Sequence, residues 1–229
     1  MQAVRPLHFW SFFFLIIWCL PANALFGEQA DSIDVSDIPP ALEADPYVFY
    51  LEDHDQSLTI EDFISGNAKA RLTPSPGGVL NRGYSEAAIW MKLRLVLNNQ
   101  AIAKKEKVLQ IQYPLLDHIT VYQVIDNKLD AEWETGDTLP FKQRPVDHNS
   151  YLFPLKVEKQ KVTEVYIRVI SSSSLRIPIT LWDPIHFYQT QKSVLLINGL
   201  YYGILFLMLF YNLCLFLTVR RTFKGRVYR

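Results

Sequence analysis

Two patterns of apolar positions divide the chain. From Ser193 to Val219 the sequence SVLLINGLYYGILFLMLFYNLCLFLTV contains no charged residue. At about 1.5 Å of rise per residue a helix of this length reaches about 40 Å, more than the roughly 30 Å hydrocarbon core of a bilayer, so a transmembrane helix is predicted over 193–219. Upstream, apolar residues recur instead at every second position. Between Ala88 and Asn98, Ile89, Met91, Leu93, Leu95 and Leu97 fall on one face of a strand, and Trp90, Lys92, Arg94 and Val96 on the other. Further strands are predicted at Lys107 to Tyr113, His118 to Ile125, Leu129 to Trp133, Tyr151 to Val157, Thr163 to Ile170 and Leu175 to Trp182. Asp126-Asn127 and Thr135-Gly136-Asp137 supply turns between them, and Pro114 and Pro154 suit edges or bulges. About eight short strands with little helix predict an all-β fold, an antiparallel β-sandwich of jelly-roll type over 46–185, followed by one transmembrane helix.

The N-terminal third adds a leader and a few shorter elements. Arg5, the apolar run Leu7 to Leu20 and Ala22-Asn23-Ala24 form a basic, apolar and small-residue series, which predicts a signal peptide over 1–24. Between Glu28 and Asp62 the chain has eleven acidic residues and no Lys or Arg, and 25–45 is expected to be an exposed acidic leader. Pro46 to Leu51 (PYVFYL) has the composition of a first strand. Thr59 with Asp62 three residues on has the spacing of a helix cap. Asn67 to Gly83, with Pro74, Pro76, Gly77 and Gly78, is expected to be a loop.

Charge sets the orientation and excludes one class of partner. After the span come Arg220, Arg221, Lys224, Arg226 and Arg229 with no acid among them, and basic residues beside a span stay in the cytoplasm. The expected location is therefore a bacterial inner membrane, with the N-terminal domain periplasmic and a basic tail, 220–229, in the cytoplasm. The exported part holds all 23 acidic residues and 17 of the 23 basic ones, a net charge near −6. Nucleic acid, which needs a basic face, is not an expected partner. Cys19 lies in the signal and Cys214 in the span, so the exported domain has no disulfide.

The strand face carrying Trp90, Lys92 and Arg94 is the main candidate for binding a small molecule or glycan. An indole plane offers apolar contact to a ring, and cationic donors satisfy hydroxyls or a carboxylate. The same residues also suit a second, smaller core under a loop, with the lysine and arginine stems covering the indole. His54, between Asp53 and Asp55, has no second histidine near it and reads as a solvated turn. Glu52, Asp53, Glu61 and Asp62 show no pairing that would place two carboxylates across a sugar. No phosphate-binding glycine loop or nucleophile elbow is present, and neither a cofactor nor enzymatic activity is expected. In the span, Gly199 and Gly203 form a G-x-x-x-G pair and Asn198 and Asn212 lie about 40° apart around the axis, which predicts packing against other transmembrane helices.

Several stretches in order resemble the type 2 extracellular domain of bacterial seven-transmembrane receptors with diverse intracellular signalling modules. They are Gly83, Trp90 and its strand, Tyr113-Pro114-Leu115-Leu116-Asp117, Gly136, Arg144-Pro145, Phe153-Pro154-Leu155, Tyr166-Ile167-Arg168, and Ser173 through Pro178 to Trp182. Gly199 to Gly203 and Tyr211-Asn212 resemble the start of that family's first membrane helix. The resemblance implies a carbohydrate-binding-module-like sandwich that senses a periplasmic ligand, here joined to the first span alone. It adds Arg144 and Arg168 to the ligand-binding candidates. Arg168 shares a strand face with Tyr166, opposite Val165, Ile167 and Val169, and pairing with Asp117 is its alternative role. The family usually has Arg where this chain has Lys92, so a bidentate contact there becomes a point-charge contact or passes to Arg94. A single-span binding or adaptor protein without signalling output is the alternative reading of the whole chain.

Overall fold

The computed structural model describes residues 31–99, 101 and 104–227, and for 220–227 the backbone alone. The expected signal peptide lies outside the described residues. Thirteen strands are present: β1 (Ile33–Asp34), β2 (Ala41–Glu43), β3 (Phe49–Asp53), β4 (Thr73–Pro74), β5 (Leu80–Asn81), β6 (Ala88–Val96), β7 (Lys104–Ile111), β8 (His118–Ile125), β9 (Lys128–Thr135), β10 (Tyr151–Glu158), β11 (Thr163–Ile170), β12 (Arg176–Ile177) and β13 (Ile179–Trp182). A short helix α1 (Ile60–Ile64) follows β3, and a long helix α2 (Pro184–Val227) ends the chain.

The strands form two main sheets. One has the order β4-β3-β6-β11-β8-β9, with β1 beside β6; the other has the order β10-β7-β13-β2. All pairings in them are antiparallel except that of β1 with β6. Because side chains alternate across each strand, Ile89, Met91, Leu93 and Leu95 of β6 meet Val165, Ile167 and Val169 of β11 and Ile119 and Val121 of β8 on the inner face. Leu109 and Ile111 of β7, Phe153, Leu155 and Val157 of β10, and Ile179 and Leu181 of β13 close the core from the second sheet. The sandwich expected from the alternation is therefore present, with both inner faces apolar and buried.

Two expectations for the N-terminal third need correction. The segment 25–45 was expected to be an exposed acidic leader, but from residue 33 it is part of the sandwich. Ile33 and Val35 are buried in the core, β1 lies along Leu95 and Val96, and β2 pairs with β13. Asp31, Asp34, Asp37 and Glu43 stay exposed, and Ser36 and then Asn98 hold the Asp34 carboxyl down to about 2, whereas Asp45 is buried and accepts from the Ile179 N–H at 3.2 Å. The loop expected over 67–83 contains β4 and β5, which pair with Phe49–Tyr50 and with β12. Pro178 splits the last predicted strand into β12 and β13.

The local signals at other positions appear as read. The carboxylate of Asp62 accepts hydrogen bonds from the Thr59 N–H at 2.9 Å and from its hydroxyl at 3.1 Å, fixing the start of α1. Asp126 and Asn127 have φ of 48° and 59° and join Ile125 to Lys128 as a two-residue hairpin.

α2 continues directly from the sandwich. Asp183 caps it by accepting from the Ile185 N–H at 3.1 Å, and Pro184 stands where its missing N–H costs nothing. The other carboxylate oxygen of Asp183 faces Nζ of Lys107 at 3.7 Å, and that lysine is 1 % exposed. Burial pushes the Lys107 ammonium below its ordinary range, aided by Lys105 and opposed by Asp183. Phe187, one turn into the helix, is buried against Val108 and Leu152 on the outer face of the second sheet. The segment between the last strand and the predicted span is thus helical and packed on the domain. Residues 184–219 are apolar enough on average to cross a membrane, with a mean hydropathy of 2.1 in the best window.

Candidate functional site

The outer face of the larger sheet is built in rows set by strand register. One row runs Leu51, Trp90, Arg168, Thr120, Glu134, and the next runs Phe49, Lys92, Tyr166, Tyr122, Glu132. A third runs Arg94, Glu164, Val124, Leu129. Neighbours in a row have Cβ atoms about 5 Å apart, so each side chain is in reach of the next.

α1 lies over one end of these rows and makes a second core. Phe63 and Ile60 pack with Trp90, Tyr166 and Val124, and the Phe63 ring lies 4.6 Å from Trp90 and 5.2 Å from Tyr166. Trp90 is 0 % exposed and stacks on Tyr122 at 6.0 Å and 15°. The smaller core anticipated as the alternative role of Trp90 therefore exists.

Beside this core, α1 and the sheet leave a cleft of about 380 Å³ whose lining includes Glu61, Trp90, Tyr122, Leu129, Glu132 and Arg168. Arg168 lies over the Trp90 ring, its guanidinium carbon 5.9 Å from the centroid. The indole Nε1–H of Trp90 and the Nε–H of Arg168 are buried and have no hydrogen-bond partner among the described residues. Such donors are costly when unpaired, by about 1–3 kcal/mol each. Arg168 also forms no ion pair among the described residues. Its alternative partner, Asp117, instead accepts from the Ser172 N–H at 2.7 Å and hydroxyl at 2.6 Å, bonds that hold its carboxyl below the ordinary range. Burial raises the Tyr122 phenol, and Glu132 adds to this while Arg168 opposes it.

The other sequence candidates lie elsewhere. Lys92 points to the next row, where its Nζ is 3.0 Å from Glu164. Glu164 also receives Lys69 at 2.8 Å and the Tyr166 hydroxyl at 2.9 Å. Burial acts to raise the Glu164 carboxyl, but the bonds from Lys69 and Lys92 outweigh it and the net direction is downward. Arg94 pairs with Asp31 at 2.6 Å. Arg144 sits between the rings of Phe141 and Tyr151, donating to the carbonyls of His148 at 2.6 Å and Asn149 at 3.2 Å. Arg94 and Arg144 also keep a buried Nε–H without a partner among the described residues, but their terminal nitrogens, like the Lys92 ammonium, are engaged by the protein itself, whereas Trp90 and Arg168 are brought together beside the cleft, and Arg168 has no ion pair among the described residues. Tyr122 and Glu132 are not among the sequence candidates, and Glu61 enters there only as one of four unpaired carboxylates. The alternation of β8 carried a signal for Tyr122, since His118, Thr120 and Tyr122 share the outer face.

No group of three metal-ligating side chains occurs among the described residues. In the span, Gly199 and Gly203 have nothing within 4 Å of where a Cβ would stand, and the Asn212 side-chain amide donates to the Met208 carbonyl of its own helix at 2.8 Å. Cys214 is a free thiol in the span.

Residues 45–183 match the family described as 7TMR-DISM extracellular 2. No curated protein matches the chain. Among solved structures, the GH31 alpha-xylosidase from Xanthomonas citri is similar at 14 % identity with a TM-score of 0.28, over 60 % of this chain and 13 % of the xylosidase. At that score the likeness says nothing about activity, and the chain spans about an eighth of the enzyme's length.

Proposed function

This chain belongs to the 7TMR-DISM extracellular 2 family, and on that premise we propose that its sandwich is the periplasmic input module of an inner-membrane receptor that binds a small molecule in the cleft beside Trp90 and Arg168. The observation that carries this reading is the pair of buried donors, the Trp90 indole Nε1–H and the Arg168 Nε–H, without acceptors among the described residues at the edge of a cleft of about 380 Å³. A ligand bringing an acceptor gains charge-assisted hydrogen bonds and relieves two unpaired groups at once. The basic run from Arg220 to Arg229 favours a cytoplasmic C-terminus and hence a periplasmic sandwich.

Transmission needs a ligand that binds two arrangements of the domain–helix junction with different free energies. Asp183 is suited to that role, because it joins buried Lys107 to the first N–H groups of α2, and Phe187 holds the same turn on the sheet. Within the bilayer, Gly199 and Gly203 would admit a second helix at close range, with Asn198 and Asn212 as polar contacts.

The test is thermal unfolding of the full chain in detergent against a panel of monosaccharides, uronic acids, amino acids and cell-wall fragments. A panel member present at a hundred times its Kd adds about 2.7 kcal/mol, a rise of about 5–10 °C. The rise should vanish in Arg168→Ala and persist in Arg144→Ala. A rise retained in Arg168→Ala, or none with any compound, would contradict the assignment.

A further inference from the structure

Resting on the reading of this cleft as the ligand site, we infer that its ligand is a small zwitterion, a free amino acid or short peptide carrying a carboxylate and an ammonium group, and not a neutral sugar. The charges around the cleft form two opposed sets. Arg168 supplies a guanidinium with no carboxylate partner among the described residues, next to the unpaired Trp90 N–H. Facing it are Glu61 from α1 and Glu132 from β9, exposed carboxylates that form no ion pair among the described residues. Both sets line one cleft around the Tyr122 ring, and at its hydroxyl Glu132, Glu61 and, more weakly, Glu134 work against Arg168.

An anion alone would meet Arg168 but would be repelled by two uncompensated glutamates. A cation alone would satisfy the glutamates but would leave the guanidinium and the indole N–H unpaired. A neutral polyol would serve the donors yet leave all three charges without counter-charge in a half-enclosed site. A molecule with a carboxylate at one end and an ammonium at the other answers both sets, and Tyr122 and Leu129 offer apolar contact to what lies between or beside them. The planar, fixed donors of Arg168 suit carboxylate recognition better than a lysine would. A metal ion is not an equivalent solution, because these carboxylates do not converge as a metal-ligating group. The cleft volume is at the lower end for ligand sites, which favours a molecule of amino-acid size.

The experiment is isothermal titration of the full chain in detergent with the standard L- and D-amino acids and with dialanine, alongside glucose and glucuronate. At least one amino acid or the dipeptide should bind. Its N-acetyl form, lacking the ammonium, and its amide, lacking the carboxylate, should each bind at least about tenfold more weakly. Arg168→Gln should remove the preference for the acid over the amide, and Glu132→Gln the preference for the amine over the N-acetyl form. Glu132→Gln is isosteric, whereas Arg168→Gln is shorter and uncharged and removes a group that lies over the Trp90 ring of the α1 core, so a melting temperature close to the parent's checks that both fold. If glucose or glucuronate binds in an Arg168-dependent way and no zwitterion does, the site stands and this inference is overturned. Equal affinity for the amide or the N-acetyl form overturns it too. Absence of binding by every compound of both kinds overturns the ligand-site reading itself.

Discussion

Replacing Gly136 with alanine is expected to destabilise the sandwich by about 3 kcal/mol or more, lowering the melting temperature by about 6–12 °C. A Cβ on Gly136 would stand 1.9 Å from the Asp117 carbonyl oxygen, 2.6 Å from its carbon and 3.0 Å from Cα of His118. All three are backbone atoms, so no side chain can swing aside to make room. Nor is that backbone free to move. The Asp117 carbonyl accepts from the Thr138 hydroxyl at 2.8 Å, the Leu116 carbonyl accepts from the Asp137 N–H at 2.8 Å, and the Asp117 carboxylate is held by Ser172. On the other side the Tyr151 hydroxyl donates to the Pro114 carbonyl at 2.8 Å and the Ser173 hydroxyl to the Leu115 carbonyl at 2.6 Å. The clash can be relieved only by giving up part of this closure, which joins four separate segments of the chain. Thermal unfolding of the variant in detergent checks the effect, and a melting temperature equal to the parent's would remove Gly136 from this role.

The second large effect is expected at Glu164. Its carboxylate is 8 % exposed as a residue and serves Lys69, Lys92 and the Tyr166 hydroxyl together. Glu164→Ala leaves two half-buried ammonium groups and a buried phenol without an acceptor. Removing one partner of a buried ion pair costs about 3–5 kcal/mol, and the partial exposure of both lysines places this case near the lower figure. The native carboxyl is held below its ordinary value of 4.5, so its contribution is complete above that pH. It is lost as the pH falls through the lower, folded-state value, where the native state must take up a proton. Denaturant unfolding of the parent between pH 7 and pH 3 should therefore show a loss of stability that is smaller in Glu164→Gln. Parallel pH profiles for the two proteins would count against the carboxylate having this effect.

Much of the fold could be read from residue patterns, and the exceptions share a cause. β6, β8 and β11 were legible because each alternates over eight or nine residues with one face mainly apolar, interrupted only by Gln123 in β8 and Thr163 in β11, and these inner faces form the core. β1 and β2 were not, because two- or three-residue strands carry too little periodicity to stand out in an acidic segment, and Ile33 and Val35 become core only through partners about sixty residues away. The start of α2 at Pro184 lies ahead of the uncharged run that marks the span at Ser193, although Asp before Pro is a helix-start signal, the role Asp183 has here.

The site was legible in part. Period two placed Trp90 outward, and the resemblance added Arg168, but their juxtaposition depends on the register between β6 and β11, which no local pattern specifies. The same register draws Lys92 away from Trp90, because it sets Glu164 one row further along, while Arg94 is held by Asp31 ahead of β1. Arg144 could not be separated by reasoning on charge type, since its role is fixed by the carbonyls of His148 and Asn149 in its own loop.

The central claim, that ligand is received at the cleft floored by Trp90, is tested most directly at the indole Nε1–H itself. In the full chain labelled with 15N at its five tryptophans, the Trp90 resonance is assigned by its loss in Trp90→Phe. It is then followed during titration with a compound that raises the melting temperature. The account predicts that this resonance shifts on saturation and that its hydrogen exchange slows, as the N–H gains an acceptor. A Trp90 resonance unchanged in position and exchange while the compound saturates the protein would contradict it.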